Sequence, residues 1–219
     1  MRTPFCLRSA LAVLAALALA GCATQTKPYD YSAFREAKPA SLLVLPPLNE
    51  SPDIKASPAL WSHATLPLSE AGYYVLPVTL VDETLRQNGV QTADDAHSIS
   101  GAKLREVFGA DAAVYLKVTQ YGTSYRVVSS ETAVSVSARI VDLRTGTQLW
   151  EGSARASSAE QSQQSQGGLL GMLVTAVMTQ IVNSATDAAY GYGAIASGRL
   201  FSPARNAGIL PGPRLSPQK

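Results

Sequence analysis

Ala112–Tyr121 reads AAVYLKVTQY, Ser130–Asp142 reads SETAVSVSARIVD and Gln148–Ala156 reads QLWEGSARA; these three stretches decide the fold class. The first two alternate apolar and polar residues with a period of two, the pattern of strands with one face in a core and the other in water. In the first, Val114, Leu116 and Val118 make one face and Tyr115, Lys117, Thr119 and Tyr121 the other. In the second, Val134, Val136, Ala138 and Ile140 oppose Ser135, Ser137 and Arg139. The turn residues Asp142–Thr147 (DLRTGT) lead into the third stretch as a returning strand, so an antiparallel meander is the simplest arrangement.

Upstream, the pattern differs. Ser41–Leu48 (SLLVLPPL) is a nearly continuous apolar run, as in a strand buried on both faces, ended by Pro46 and Pro47. A loop over Asn49–Pro58 follows, then helix on both sides of Pro67 within Ala59–Ala71, and a strand over Tyr73–Val78. Thr79 is the expected N-cap of a helix over Leu80–Asn88, with Asp82 as its capping-box partner and Leu80, Val81, Thr84 and Leu85 toward the sheet. A short helix over Ala102–Phe108 lies between Ser100 and Gly109. The expectation is an α/β (α+β) fold, a mixed sheet of about five strands with helices packed mainly on one face.

The ends are of another kind. Arg2 and Arg8 precede the apolar run Leu11–Leu19 (LAVLAALAL), which is too short for a transmembrane helix and has the form of a secretory signal. Leu19-Ala20-Gly21-Cys22 then resembles the bacterial lipobox, which implies cleavage between Gly21 and Cys22 and a diacylglycerol on the Cys22 thiol. Of 219 residues, the signal carries the thiol of Cys6 and two of the 18 basic side chains, leaving 16 basic against 16 acidic. The formal +2 and the free thiol both leave with residues 1–21, and with them go disulfides and Cys-ligated metal sites. Ala23 stands where lipoproteins retained in the inner membrane typically have Asp, so the resemblance implies the outer membrane, with the domain facing the periplasm and surface exposure open. Residues 22–39 read as a lipidated tether, 40–200 as one domain, and 201–219 as a Gly/Pro-containing tail.

Ser157–Gly168 (SSAEQSQQSQGG) reads as a flexible arm over about 157–168. After it, Leu170, Leu173, Val174, Val177, Met178, Ile181 and Val182 recur at helical spacing. Two readings of this helix stand: it covers the sheet, or it lies on a membrane or a partner.

No constellation for catalysis is visible. His63 and His97 are far apart and outside any close ligand pair, so no metal site is expected. The Asp94-Asp95-Ala96-His97 stretch reads as a solvated loop. Gly122-Thr123-Ser124-Tyr125-Arg126 places Arg where a hydrolase elbow needs Gly. Gly191-Tyr192-Gly193-Ala194-Ile195-Ala196 has the letters of a dinucleotide fingerprint but follows a helix. Charged residues are 16% of the chain and dispersed, which excludes a broad nucleic-acid face. Neither an enzyme nor a cofactor is expected.

The runs LLVLPPLNESPDIKA, PLSEAGYYVLPVTLVDETLRQNG, FGADAAVYLKVTQYGTSY, ARIVDLRTGTQLWEGSA and GLLGMLVTAVMTQIVNSATD resemble the bacterial lipoprotein family typified by a meningococcal genome-derived antigen. The resemblance implies a fold similar to the N-terminal domain of TolB. More distantly, VLPPLNES and DLRTGTQLW resemble the CsgG-type secretion lipoproteins and LpoB-type activators of peptidoglycan synthases. The resulting expectation is a non-enzymatic accessory or docking component of an envelope transport, secretion or assembly complex. A regulator of peptidoglycan synthesis is the alternative, and an envelope hydrolase a remote one. Expected partners are the membrane through acyl chains and other envelope proteins, with self-association left open. Tyr115, Tyr121 and Tyr125 on the meander, and Leu170, Leu173 and Val177 on the last helix, are the candidate partner-binding residues.

Overall fold

A computed structural model describes residues 29–125, 130–160 and 188–215. Its elements are α1 (Ser32–Ala37), β1 (Ser41–Val44), β2 (Leu48–Asn49), α2 (Ala56–Glu70), β3 (Tyr74–Val75), α3 (Val78–Gln87), α4 (Ala93–Ser98), α5 (Gly101–Phe108), β4 (Ala112–Tyr125), β5 (Ser130–Asp142), β6 (Gln148–Ser157) and α6 (Ala188–Leu200). The sheet is mixed and runs β3-β1-β4-β5-β6. β1 is parallel to β3 and β4, and β4-β5-β6 is an antiparallel meander. Pro46 and Pro47 interrupt the ladder after β1, and the chain resumes pairing with β4 at β2, where Leu48 meets Lys117. The α/β class and mixed sheet are those the alternation and the apolar run imply.

The larger core lies between one face of the sheet and α1, α2 and α6. Leu42, Val44, Val114, Leu116, Val136, Ile140 and Trp150 point into it. A smaller core, built on Leu43, Leu45 and Ala113, lies on the opposite face under α3, α4 and α5. Burial of β1 on both faces explains its unbroken apolar run. The helices of the second core cover the β3-β1-β4 side, and among the described residues no helix covers the outer face of the meander.

Several local expectations need correction. Residues 29–39 belong to the fold rather than to a tether. Phe34 is buried, its ring 6.5 Å from that of Tyr73, and α1 ends where Lys38 adopts φ 45° and donates its N–H to the Phe34 carbonyl. Six residues are too few to show a helical period, so this helix is fixed by tertiary contacts. α3 begins at Val78 after Pro77, without a side-chain cap; Thr79 is not the N-cap, and Leu80 is exposed. Asp82 instead pairs with Arg86 at 3.0 Å. The Asp94–His97 stretch is helical, capped by the Thr92 hydroxyl accepting from Asp95 N–H. α2 runs continuously through Pro67.

Residues 201–215 of the tail pack back on the domain: Phe201 and Ile209 are buried, and the N–H of Gly212 donates to the Ala71 carbonyl at 2.7 Å. Gly72 (φ 94°) and Gly212 are pressed together so closely that a Cβ on Gly212 would lie 2.5 Å from the Gly72 carbonyl oxygen.

The meander contains a slip that alters side-chain placement. Val118 pairs with Val136 but Gln120 with Ser135, so Thr119 is an extra residue, a β-bulge. Past the bulge the parity of β4 reverses, and Tyr121 enters the larger core at 3% exposure rather than lying beside Tyr115 and Lys117.

Candidate functional site

The outer face of the meander carries an open groove of about 690 Å³. Register builds it row by row. Tyr115 on β4 lies across from Arg139 on β5, which lies across from Glu151 on β6. The next row is Lys117, Ser137 and Ser153. Tyr29, His97 and Leu48 complete the lining.

Arg139 stacks on Tyr115, its guanidinium carbon 4.4 Å from the ring centroid. The ring of His97 meets Tyr115 edge-on, centroids 5.1 Å apart. His97 is held in place by its Nε2, which donates to the Pro46 carbonyl at 2.9 Å. Burial, aided by Arg139, pushes the His97 imidazole below its ordinary pKa, against the pull of the Pro46 carbonyl and Asp94. Burial also raises the Tyr115 phenol, with Arg139 opposing. Both rings are therefore neutral near pH 7.

Lys117 is paired with Glu50 at 2.8 Å. Arg139 is exposed, and among the described residues no carboxylate lies within 4.0 Å of it, although Glu151 is its cross-strand neighbour. The stack thus fixes a planar guanidinium whose N–H donors face solvent and suit an incoming carboxylate or phosphate. This is binding chemistry. Among the described residues there is no group of three or more His, Cys, Asp or Glu arranged to hold a metal.

Of the candidate tyrosines, Tyr115 lines the groove, Tyr121 is a core residue, and Tyr125 ends β4 paired with Ser130. Gly21, Cys22, Leu170, Leu173 and Val177 lie outside the described residues. The alternation of Ser130–Asp142 already placed Arg139 on the polar face, but its partner Tyr115 and the contribution of Tyr29 depend on strand register and on the N-terminal segment folding back. The acidic pair Asp82 and Glu83 is engaged within α3, by Arg86 and Gln87.

The model of the family described as lipoprotein GNA1162-like matches residues 29–214. The chain belongs to this family of GNA1162-like lipoproteins. It is 50% identical over 205 residues to lipoprotein NMB1124/NMB1162 of Neisseria meningitidis serogroup B, covering 93% of this chain and 94% of that one. The crystal structure of lipoprotein GNA1162 from Neisseria meningitidis is similar with a TM-score of 0.52 at 51% identity, over 66% of this chain and 99% of the other. The LpoB C-terminal domain from Salmonella enterica is a distant likeness, 17% identical with a TM-score of 0.39 over 53% of this chain and 82% of that one, too remote to bear on function. The GNA1162-like match takes in Tyr29, Tyr31 and Phe34, which pack against the rest of the fold.

Proposed function

We propose that this lipoprotein is acylated at Cys22, anchored in the outer membrane with its domain in the periplasm, and acts without catalysis by docking another envelope protein in the groove of the meander. The observation that carries the reading is the Arg139 guanidinium, held over the Tyr115 ring with no carboxylate within 4.0 Å among the described residues. A groove open along one side admits an extended segment of a partner, and an acidic side chain or C-terminal carboxylate on that segment would satisfy the guanidinium.

Photo-crosslinkers at Ser137 and Ser153, compared in living cells with one at Gln87 on α3, test the docking reading. The expected result is a discrete adduct from the groove positions that is lost with Arg139→Ala. Equal adducts from Gln87, or adducts indifferent to Arg139, would contradict it. Labelling with a palmitate analogue, abolished by Cys22→Ala, tests the anchor.

A further inference from the structure

Resting on the Cys22 anchor, we infer that the β6 edge of the domain is kept within about 25 Å of the lipid headgroups, so that the groove opens on the membrane-proximal side of the domain. The fold is fixed from its first described residue. Tyr29 lines the groove, and its hydroxyl accepts the outward N–H of Glu151 on β6 at 2.9 Å. Its ring lies 4.8 Å from that of Tyr31, whose hydroxyl donates to the Gly208 carbonyl. Phe34 then enters the core. Tyr29 therefore stands at the edge of β6, beyond which no further strand pairs among the described residues.

Only seven residue steps separate Cys22 from Tyr29, and these span at most about 25 Å however they are arranged. A domain of this length is about 40 Å across. Turning the opposite pole onto the membrane would need Tyr29 to stand about 40 Å above it, beyond that reach. Had the fold begun at Ala40, a reach of about 60 Å would have allowed any orientation.

The backbone groups of the edge are already engaged, so it does not invite an added strand. Free β edges invite pairing because their backbone groups are unsatisfied. Here Tyr29 takes the Glu151 N–H, while Arg205 and Arg199 donate to the carbonyls of Ser153 and Arg155 at 3.1 and 2.7 Å. Arg155 and Arg199 are themselves neutralised by Glu131 and Glu160, both at 2.7 Å. Proximity to the bilayer is thus set by the length of the anchor rather than by attraction of these arginines to anionic lipid.

The test uses the acylated full-length protein in vesicles of phosphatidylethanolamine and phosphatidylglycerol. Ser153→Cys on β6 and Gln87→Cys on α3 carry a fluorophore, and a nitroxide on the lipid headgroup serves as quencher. Acylation consumes Cys22, so the introduced thiol is the one labelled. The expected result is several-fold stronger quenching at Ser153 than at Gln87. A Gly/Ser insertion of about 20 residues after Ala23, adding about 25 Å of r.m.s. length, should bring the two toward equality. Equal quenching without the insertion, or a difference that survives it, would overturn the inference in protein whose intact mass confirms the acyl chains. An intact mass without acyl chains would instead overturn the anchor reading, and this inference with it.

Discussion

Replacing Tyr121 with alanine separates two roles for one side chain, partner anchor or core residue. Tyr121 is 3% exposed, packed in the cluster that includes Val118, Val134 and Val136. A buried aromatic side chain removes about 150–250 Å² from water. At about 25 cal/mol per Å², that burial amounts to about 4–6 kcal/mol, of which alanine retains a small part. Aromatic-to-alanine changes in cores cost about 3–5 kcal/mol. A loss of about 4 kcal/mol, at about 2–4 °C per kcal/mol for a protein of this size, lowers Tm by roughly 8–16 °C. Circular dichroism melts of the detergent-solubilised full-length protein measure it, with Tyr115→Ala alongside. Tyr115 is half-buried between His97 and Arg139, and its loss costs about 1–2 kcal/mol while weakening groove crosslinks. A Tyr121→Ala melt lowered no more than that of Tyr115→Ala would refute the bulge-and-burial argument.

Gly152→Ala places a Cβ 2.5–2.6 Å from the six-membered ring of Trp150, which is fully buried and donates to the Ala207 carbonyl. The expected cost is about 1–3 kcal/mol, read as a lower Tm with altered tryptophan fluorescence. Asp111→Ala removes a carboxylate that accepts from Ala40 N–H, Ser41 N–H and the Ser41 hydroxyl at 2.9–3.0 Å, joining the starts of β1 and β4. About 2 kcal/mol is expected after allowing for solvent at this partly exposed site, measured by urea unfolding.

Burial raises the Asp111 carboxyl, but those hydrogen bonds and Arg105 outweigh it and hold the group below the ordinary range. Its contribution is therefore present above about pH 4 and disappears as pH falls through the folded pKa, a dependence absent from Asp111→Ala. For His63 the sign is the same but the window is higher. Burial between α2 and α6 depresses its imidazole despite a bond to the Tyr190 backbone, and His97 is depressed likewise. Because the unfolded imidazoles take up protons that the folded ones resist, stability declines as pH drops below about 6.5. The His63→Gln/His97→Gln double variant should flatten that part of a Tm–pH curve, and an unchanged slope would contradict this origin.

Strands β5 and β6 and the helix α5, capped by the Ser100 hydroxyl and ended by Gly109 at φ 66°, were legible because period and capping are properties of neighbouring residues. The start of β1, buried on both faces, was legible for the same reason. The place of residues 29–39 in the fold was not. Tyr29, Tyr31 and Phe34 sit in a polar stretch with no period, and what orders them is the Glu151 N–H, the Gly208 carbonyl and the Tyr73 ring, all distant in sequence. The groove was half legible: Tyr115 and Arg139 each occupied a polar face in the sequence pattern, but their stacking depends on the register between β4 and β5.

By itself the sequence determined the alternation that makes a meander, the apolar run that becomes β1, the lipobox pattern and the charge balance that remains after residues 1–21. These depend on the chemistry of adjacent residues, so no other part of the chain is needed to read them. Only the tertiary structure decided which face Tyr121 occupies, that residues 29–39 belong to the fold and which residues line the groove. Each of these depends on a pairing between distant segments, and a one-residue slip at Thr119 is enough to exchange solvent for core.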